Sequence, residues 1–125
     1  MSAGRILVVD DEDRVREMIE FRLSMYGYEV IQAANGQEAL ASAVEHEPDL
    51  VLLDIMMEEQ DGFKVCSRLK KNENTKDIPI VMLTAKAEAK DVMRAFECGA
   101  DDYIVKPYEP TVLREKIERN LRINA

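Results

Sequence analysis

The chain of 125 residues has room for one domain, and 46% hydrophobic against 34% charged residues, with 5 Gly and 4 Pro, excludes a disordered polymer. Its 25 Asp and Glu against 17 Lys and Arg leave a formal net charge of −8, which argues against direct binding of DNA or RNA phosphates. No apolar run approaches the roughly 20 residues of a membrane span, and Asp10-Asp11-Glu12-Asp13 interrupts any signal-peptide core, so no membrane insertion and a cytoplasmic location are expected.

Short apolar runs alternate with segments of helical period, predicting strands over 5–10, 28–33, 50–54, 78–84 and 102–106. Ile6 to Val9 and Leu50 to Leu53 are apolar at every position, as central strands buried on both faces should be. Glu29 and Gln32 mark the second strand as an edge. Val15, Met18, Ile19, Arg22/Leu23 and Tyr26 form the stripe of a first helix that Gly27 stops. Ala39, Leu40, Ala43 and Val44 form a second after Asn35-Gly36, and Phe63, Val65, Cys66 and Leu69 a third after Asp61-Gly62. Val92, Met93 and Phe96 stripe a fourth, closed by Gly99, and Pro110 opens a fifth with Leu113, Ile117 and Leu121. The sum is an α/β fold, (βα) repeated five times: a doubly wound, five-stranded parallel sheet in the flavodoxin-like order 2-1-3-4-5. Cys66 and Cys98 stand 32 apart, match no metal or redox spacing, and are read as structural thiols. His46, between Glu45 and Glu47, is read as solvated.

In such a fold, ligands gather at the carboxyl ends of the strands. There this sequence places Asp10-Asp11, Asp54, Thr84 and Lys106-Pro107. At about 4 Å, two carboxylates repel by about 4 kcal/mol in a dielectric of about 20. One carboxylate could take up a proton, Lys106 could pair with one, or a divalent cation could join them. With oxygen donors only, that cation is Mg2+, or Mn2+ in its place, rather than zinc or copper. A carboxylate beside a magnesium ion and a lysine suits covalent phosphoryl capture. Asp54, alone after an apolar strand, is the candidate nucleophile, and Asp10-Asp11 the metal ligands and orienting groups.

Val9-Asp10-Asp11, Leu53-Asp54, Leu83-Thr84-Ala85 and Tyr103-Ile104-Val105-Lys106-Pro107 together resemble the receiver domain of two-component response regulators, over a core of about residues 5–122 within a single domain, 1–125. The resemblance implies Asp54 as phosphoacceptor and Asp11, Asp54 and the Met56 carbonyl as magnesium ligands, with Asp10 orienting the metal. It implies Thr84 and Lys106 as phosphoryl contacts, Thr84 and Tyr103 as switch residues, and a cis Lys106-Pro107 bond. The partners it implies are a sensor histidine kinase or phosphotransfer protein, a downstream protein or output domain, and a phosphorylation-dependent homodimer. Self-phosphorylation and autodephosphorylation are then its only chemistry, with no separate substrate turned over.

Glu58 departs from the proline common in receivers four residues after the phosphoacceptor, so a more mobile loop and slower phosphorylation by small anionic donors are expected. Lys86, Lys90 and Arg94 are either an exposed face or part of a partner surface, and Val92 and Val112 align with charged residues that pair receiver dimers. Rival readings are a magnesium-dependent phosphatase, opposed by Met56 where a second Asp belongs, and a phosphorylation-independent binding module, opposed by the joint presence of Asp54, Thr84 and Lys106. Only Ile123-Asn124-Ala125 follows the last helix stripe, so the chain is either a stand-alone regulator or the receiver part of a longer protein.

Overall fold

Strand and helix alternate among the described residues: β1 (Arg5–Val9), α1 (Asp13–Met25), β2 (Glu29–Ala33), α2 (Gly36–His46), β3 (Leu50–Asp54), α3 (Gly62–Lys71), β4 (Ile80–Thr84), α4 (Ala89–Glu97), β5 (Asp102–Val105) and α5 (Pro110–Ile123). The computed structural model describes residues 3–55, 61–85 and 89–123. All strand pairs are parallel, in the order β2-β1-β3-β4-β5, as the alternating pattern requires. No helix among the described residues is long and apolar enough to cross a membrane.

The strands are shorter than the apolar runs suggest. The Tyr28 N–H turns back to the Leu23 carbonyl of α1, and the Ile78 N–H bonds Thr75, so both lie outside the sheet ladder. Asp10 and Lys106 stand just beyond the ends of β1 and β5. β1, β3 and β4 are buried at their apolar positions, each large side chain contributing about 1.5–3 kcal/mol, while β2 at the edge exposes Glu29.

Alternate strand residues feed two cores. Ile6, Val8, Leu50, Leu52, Val81 and Leu83 pack with α1 and α5, whereas Leu7, Val9, Val51, Leu53, Ile80 and Met82 pack with α2, α3 and α4. Caps fix the helix ends. Asn35 accepts from the Glu38 N–H at 2.9 Å while Glu38 accepts from the Ala34 N–H, and Asp61 accepts from the Phe63 N–H at 2.9 Å. Gly27, at φ 92°, closes α1.

Three of the predicted stripes are corrected. Met18, Val44, Met93 and Phe96 are exposed. α1 buries Arg16, Ile19 and Leu23, and α4 buries Ala95, because each helix carries more apolar residues than its contact with the sheet covers.

Candidate functional site

The β1/β3 register aligns Val9 with Leu53, so the next residues, Asp10 and Asp54, come to the same rim side by side. Asp54 is 5% exposed, and the Lys106 ammonium donates to its Oδ2 at 2.7 Å. The Lys106-Pro107 bond is cis, as the resemblance implied, and the Lys106 N–H donates to the Thr84 carbonyl at 2.7 Å. Thr84 ends β4 and is buried. Alternation along β4 puts Thr84 on the face of Met82, to which Tyr103 of β5 also packs. The Tyr103 ring meets Phe96 of α4 edge to face, with centroids 6.0 Å apart.

Asp10 is 2% exposed. Its Oδ1 accepts from the Glu12 N–H at 2.9 Å, and its Oδ2 is buried without a hydrogen-bond partner among the described residues. Burial, the hydrogen bond it can donate to Asp54 when protonated, and the Asp54 charge push its carboxyl up to about 7, against the opposing pull of the Glu12 N–H and Lys106. Lys106 thus pairs with Asp54, and Asp10 holds the repulsion that remains. Asp11 follows half-buried in the loop that leads into α1.

Magnesium fits this rim on one observation, the orphaned and buried Oδ2 of Asp10 beside a second carboxylate, with oxygen donors only. Among the described residues no three His, Cys, Asp or Glu side chains form a ready-made metal cluster. The Met56 carbonyl, expected as a ligand, lies outside the described residues, as do Glu58 and Lys86.

Arg16 belongs to the site although the sequence pattern does not mark it. It is 9% exposed, and its guanidinium donates to the Asp10 carbonyl at 2.7 Å and the Gln32 Oε1 at 3.0 Å, and pairs with Asp13. A charged residue at a buried helical position was the available signal, since a buried arginine needs partners. Arg94, read as part of a surface run, pairs with Asp61 at 2.8 Å and lies 4.3 Å from the centre of the Phe63 ring, tying α4 to α3. Beside Lys106, a groove of about 640 Å³ opens between α1 and the β5-α5 connection, lined by Val15, Met18, Arg22 and Tyr108 among others.

Residues 6–118 match the response regulator receiver domain family. The chain belongs to that family. The receiver domain is 49% identical over 122 residues to the phosphate regulon transcriptional regulatory protein PhoB of Pseudomonas aeruginosa, covering 98% of this chain and 53% of that protein. It is 42% identical over 118 residues to the DNA-binding dual master transcriptional regulator RpaA of Synechocystis, covering 94% of this chain and 49% of that protein. Among solved structures, the chemotaxis protein CheY4 of Vibrio cholerae superposes with a TM-score of 0.88 at 33% identity, over 93% of this chain and 97% of that one. The domain therefore spans about half the length of these two transcriptional relatives. Receiver domains are signalling modules rather than enzymes that turn over a separate substrate.

Proposed function

We propose that this receiver domain takes a phosphoryl group onto Asp54 from a phosphohistidine of a sensor kinase or phosphotransfer protein. The observation that supports it most is the Lys106–Asp54 contact of 2.7 Å beside the orphaned Asp10 oxygen, on a rim with more carboxylates than cations. An Asp54 oxygen attacks phosphorus, a P–O bond forms as the P–N bond breaks, and the electron pair leaves with the imidazole. Lys106, freed from Asp54, then faces the phosphoryl oxygens, and the Thr84 hydroxyl donates to one of them. Asp11, Asp54 and the Met56 carbonyl would hold Mg2+ (or Mn2+), with Asp10 orienting it, and the cation would supply positive charge for those oxygens.

Once Thr84 is drawn to the phosphoryl group, Tyr103 on the same sheet face changes its packing against Phe96, and the α4-β5-α5 surface changes pose. The exposed Met93 and Phe96 of α4 and Val112 of α5 support a second copy of the domain as one occupant of that surface after phosphorylation. An output domain on a longer chain fits the half-length match to two transcriptional regulators. We assign the protein to the cytoplasm, where the kinase's phosphohistidine would be presented.

The test is incubation with acetyl phosphate or beryllofluoride and magnesium, read by intact mass and by NMR. Wild type should gain one phosphoryl group and shift the signals of Thr84, Tyr103 and α4, and Asp54→Ala should do neither. A wild type silent to every donor and mimic overturns the proposal in favour of a phosphorylation-independent binding module.

A further inference from the structure

Cys66 on α3 and Cys98 just after α4 are 32 residues apart, yet the Cys66 Sγ donates to the Cys98 carbonyl oxygen at 3.5 Å, while the Cys98 Sγ donates to the Ala95 carbonyl at 3.0 Å. We propose that the two cysteines form a reversible intramolecular disulfide, a modification site that staples α3 to the end of α4. Cys66 is fully buried and Cys98 is partly open to solvent, so an oxidant reaches Cys98 first. The adjacent Cys66 side chain holds the Cys98 thiol below its ordinary value, and the same contact together with burial raises Cys66. Cys98 is thus the sulfur that reacts, and Cys66 the one that resolves.

The corner that carries the pair is already braced. Lys70 of α3 bonds the Ile78 carbonyl at 2.8 Å and the Asp101 carboxylate at 2.9 Å, and Gly99, at φ +104°, lets the chain turn tightly over the Lys70 stem. Closing the bond therefore joins elements that are held together in the reduced protein.

With a peroxide as oxidant, the Cys98 thiolate attacks one oxygen. The S–O bond forms as the O–O bond breaks, hydroxide leaves, and Cys98 is a sulfenic acid. The Cys66 sulfur then attacks the Cys98 sulfur, the S–S bond forms as the S–O bond breaks, and the hydroxyl departs as water with the Cys66 proton. Both thiols are oxidised, the peroxide is reduced to two waters, and a dithiol such as dithiothreitol reverses the change. The consequence for signalling rests on the receiver function proposed above: a staple at the end of α4 restrains the helix that phosphorylation re-poses.

The experiment treats the purified chain at low concentration with hydrogen peroxide and reads non-reducing intact mass and peptide maps. A monomer lighter by two hydrogens, with one Cys66–Cys98 cross-linked peptide restored by dithiothreitol, is expected in wild type and equally in Asp54→Ala, and absent in Cys98→Ser. A sulfinic acid on Cys98 with Cys66 still reduced, or a cross-linked dimer instead, overturns the disulfide. The oxidised monomer should show a smaller beryllofluoride shift in α4 than the reduced one, and equal shifts overturn the restraint. No shift in the reduced protein counts against the receiver function alone, because the cross-link is read separately by mass.

Discussion

Gly62 packs so closely on Ile55 that a Cβ on the glycine would stand 2.4 Å from the Ile55 Cα and 2.9 Å from the Asp54 carbonyl oxygen. The first residue of α3 is therefore pressed against the backbone that carries the candidate phosphoacceptor, and only glycine leaves room for it. Gly62→Ala should push the Asp54–Ile55 backbone aside and cost about 1–3 kcal/mol by overpacking. Urea unfolding measures the loss, and a slower acetyl phosphate reaction at Asp54 accompanies it. An unchanged midpoint and rate would show that the contact relaxes freely.

Arg16 holds the other side of the site from within a nearly closed environment. Arg16→Met keeps much of the apolar stem but leaves the buried Asp10 carbonyl without the guanidinium, at a cost of about 1–3 kcal/mol. Thermal melting reads the loss. Lysine should rescue it poorly, because a single ammonium cannot reach the Asp10 carbonyl, Gln32 and Asp13 with the arginine's planar fork.

The Lys106–Asp54 pair should couple in a double-mutant cycle. Lys106→Met leaves Asp54 facing Asp10 with no cation between them, while Asp54→Asn alone removes the charge that adds to burial in raising the Asp10 carboxyl. Because the Lys106 side chain is 31% exposed, its loss should fall below the about 3–5 kcal/mol typical of breaking fully buried pairs. The double variant should recover most of that loss. Carboxyl NMR provides the second readout, in which Asp54→Asn brings the Asp10 titration down from about 7.

Asp102, at the start of β5, provides the pH test away from the rim. Burial works to raise its carboxyl, but hydrogen bonds from Lys116, the Tyr103 N–H and Asn120 outweigh it and hold the group below its ordinary 3.8. Below that value the unfolded chain binds the proton first, so this group's stabilisation is complete above about pH 4 and disappears as pH falls through the lower folded-state value. Asp102→Asn should be less stable than wild type at pH 7, and the gap should narrow on acidification below pH 4. Denaturant midpoints across that range decide it, and a gap constant with pH would refute the linkage.

Most of the rim is legible in the sequence. Apolar runs that end in Asp10, Asp54 and Thr84 say where strands stop, and parallel connectivity sends every stop to one edge, so the carboxylates and Lys106 had to meet. The helix stripes were less legible. Met18, Met93 and Phe96 are as apolar as Ile19 and Leu23, and nothing local says how far a helix is rotated against its sheet.

Order along the chain and the period of its apolar residues thus dictated the fold, the strand order and the oxygen-rich edge. Packing alone decided that Arg16 reaches the Asp10 carbonyl, that Gly62 must stay small, and that Cys66 meets Cys98 across 32 residues. The physical reason is distance along the chain: strand alternation is set by neighbouring residues, whereas a contact between separate elements depends on crossing angles and helix rotations that no single segment encodes.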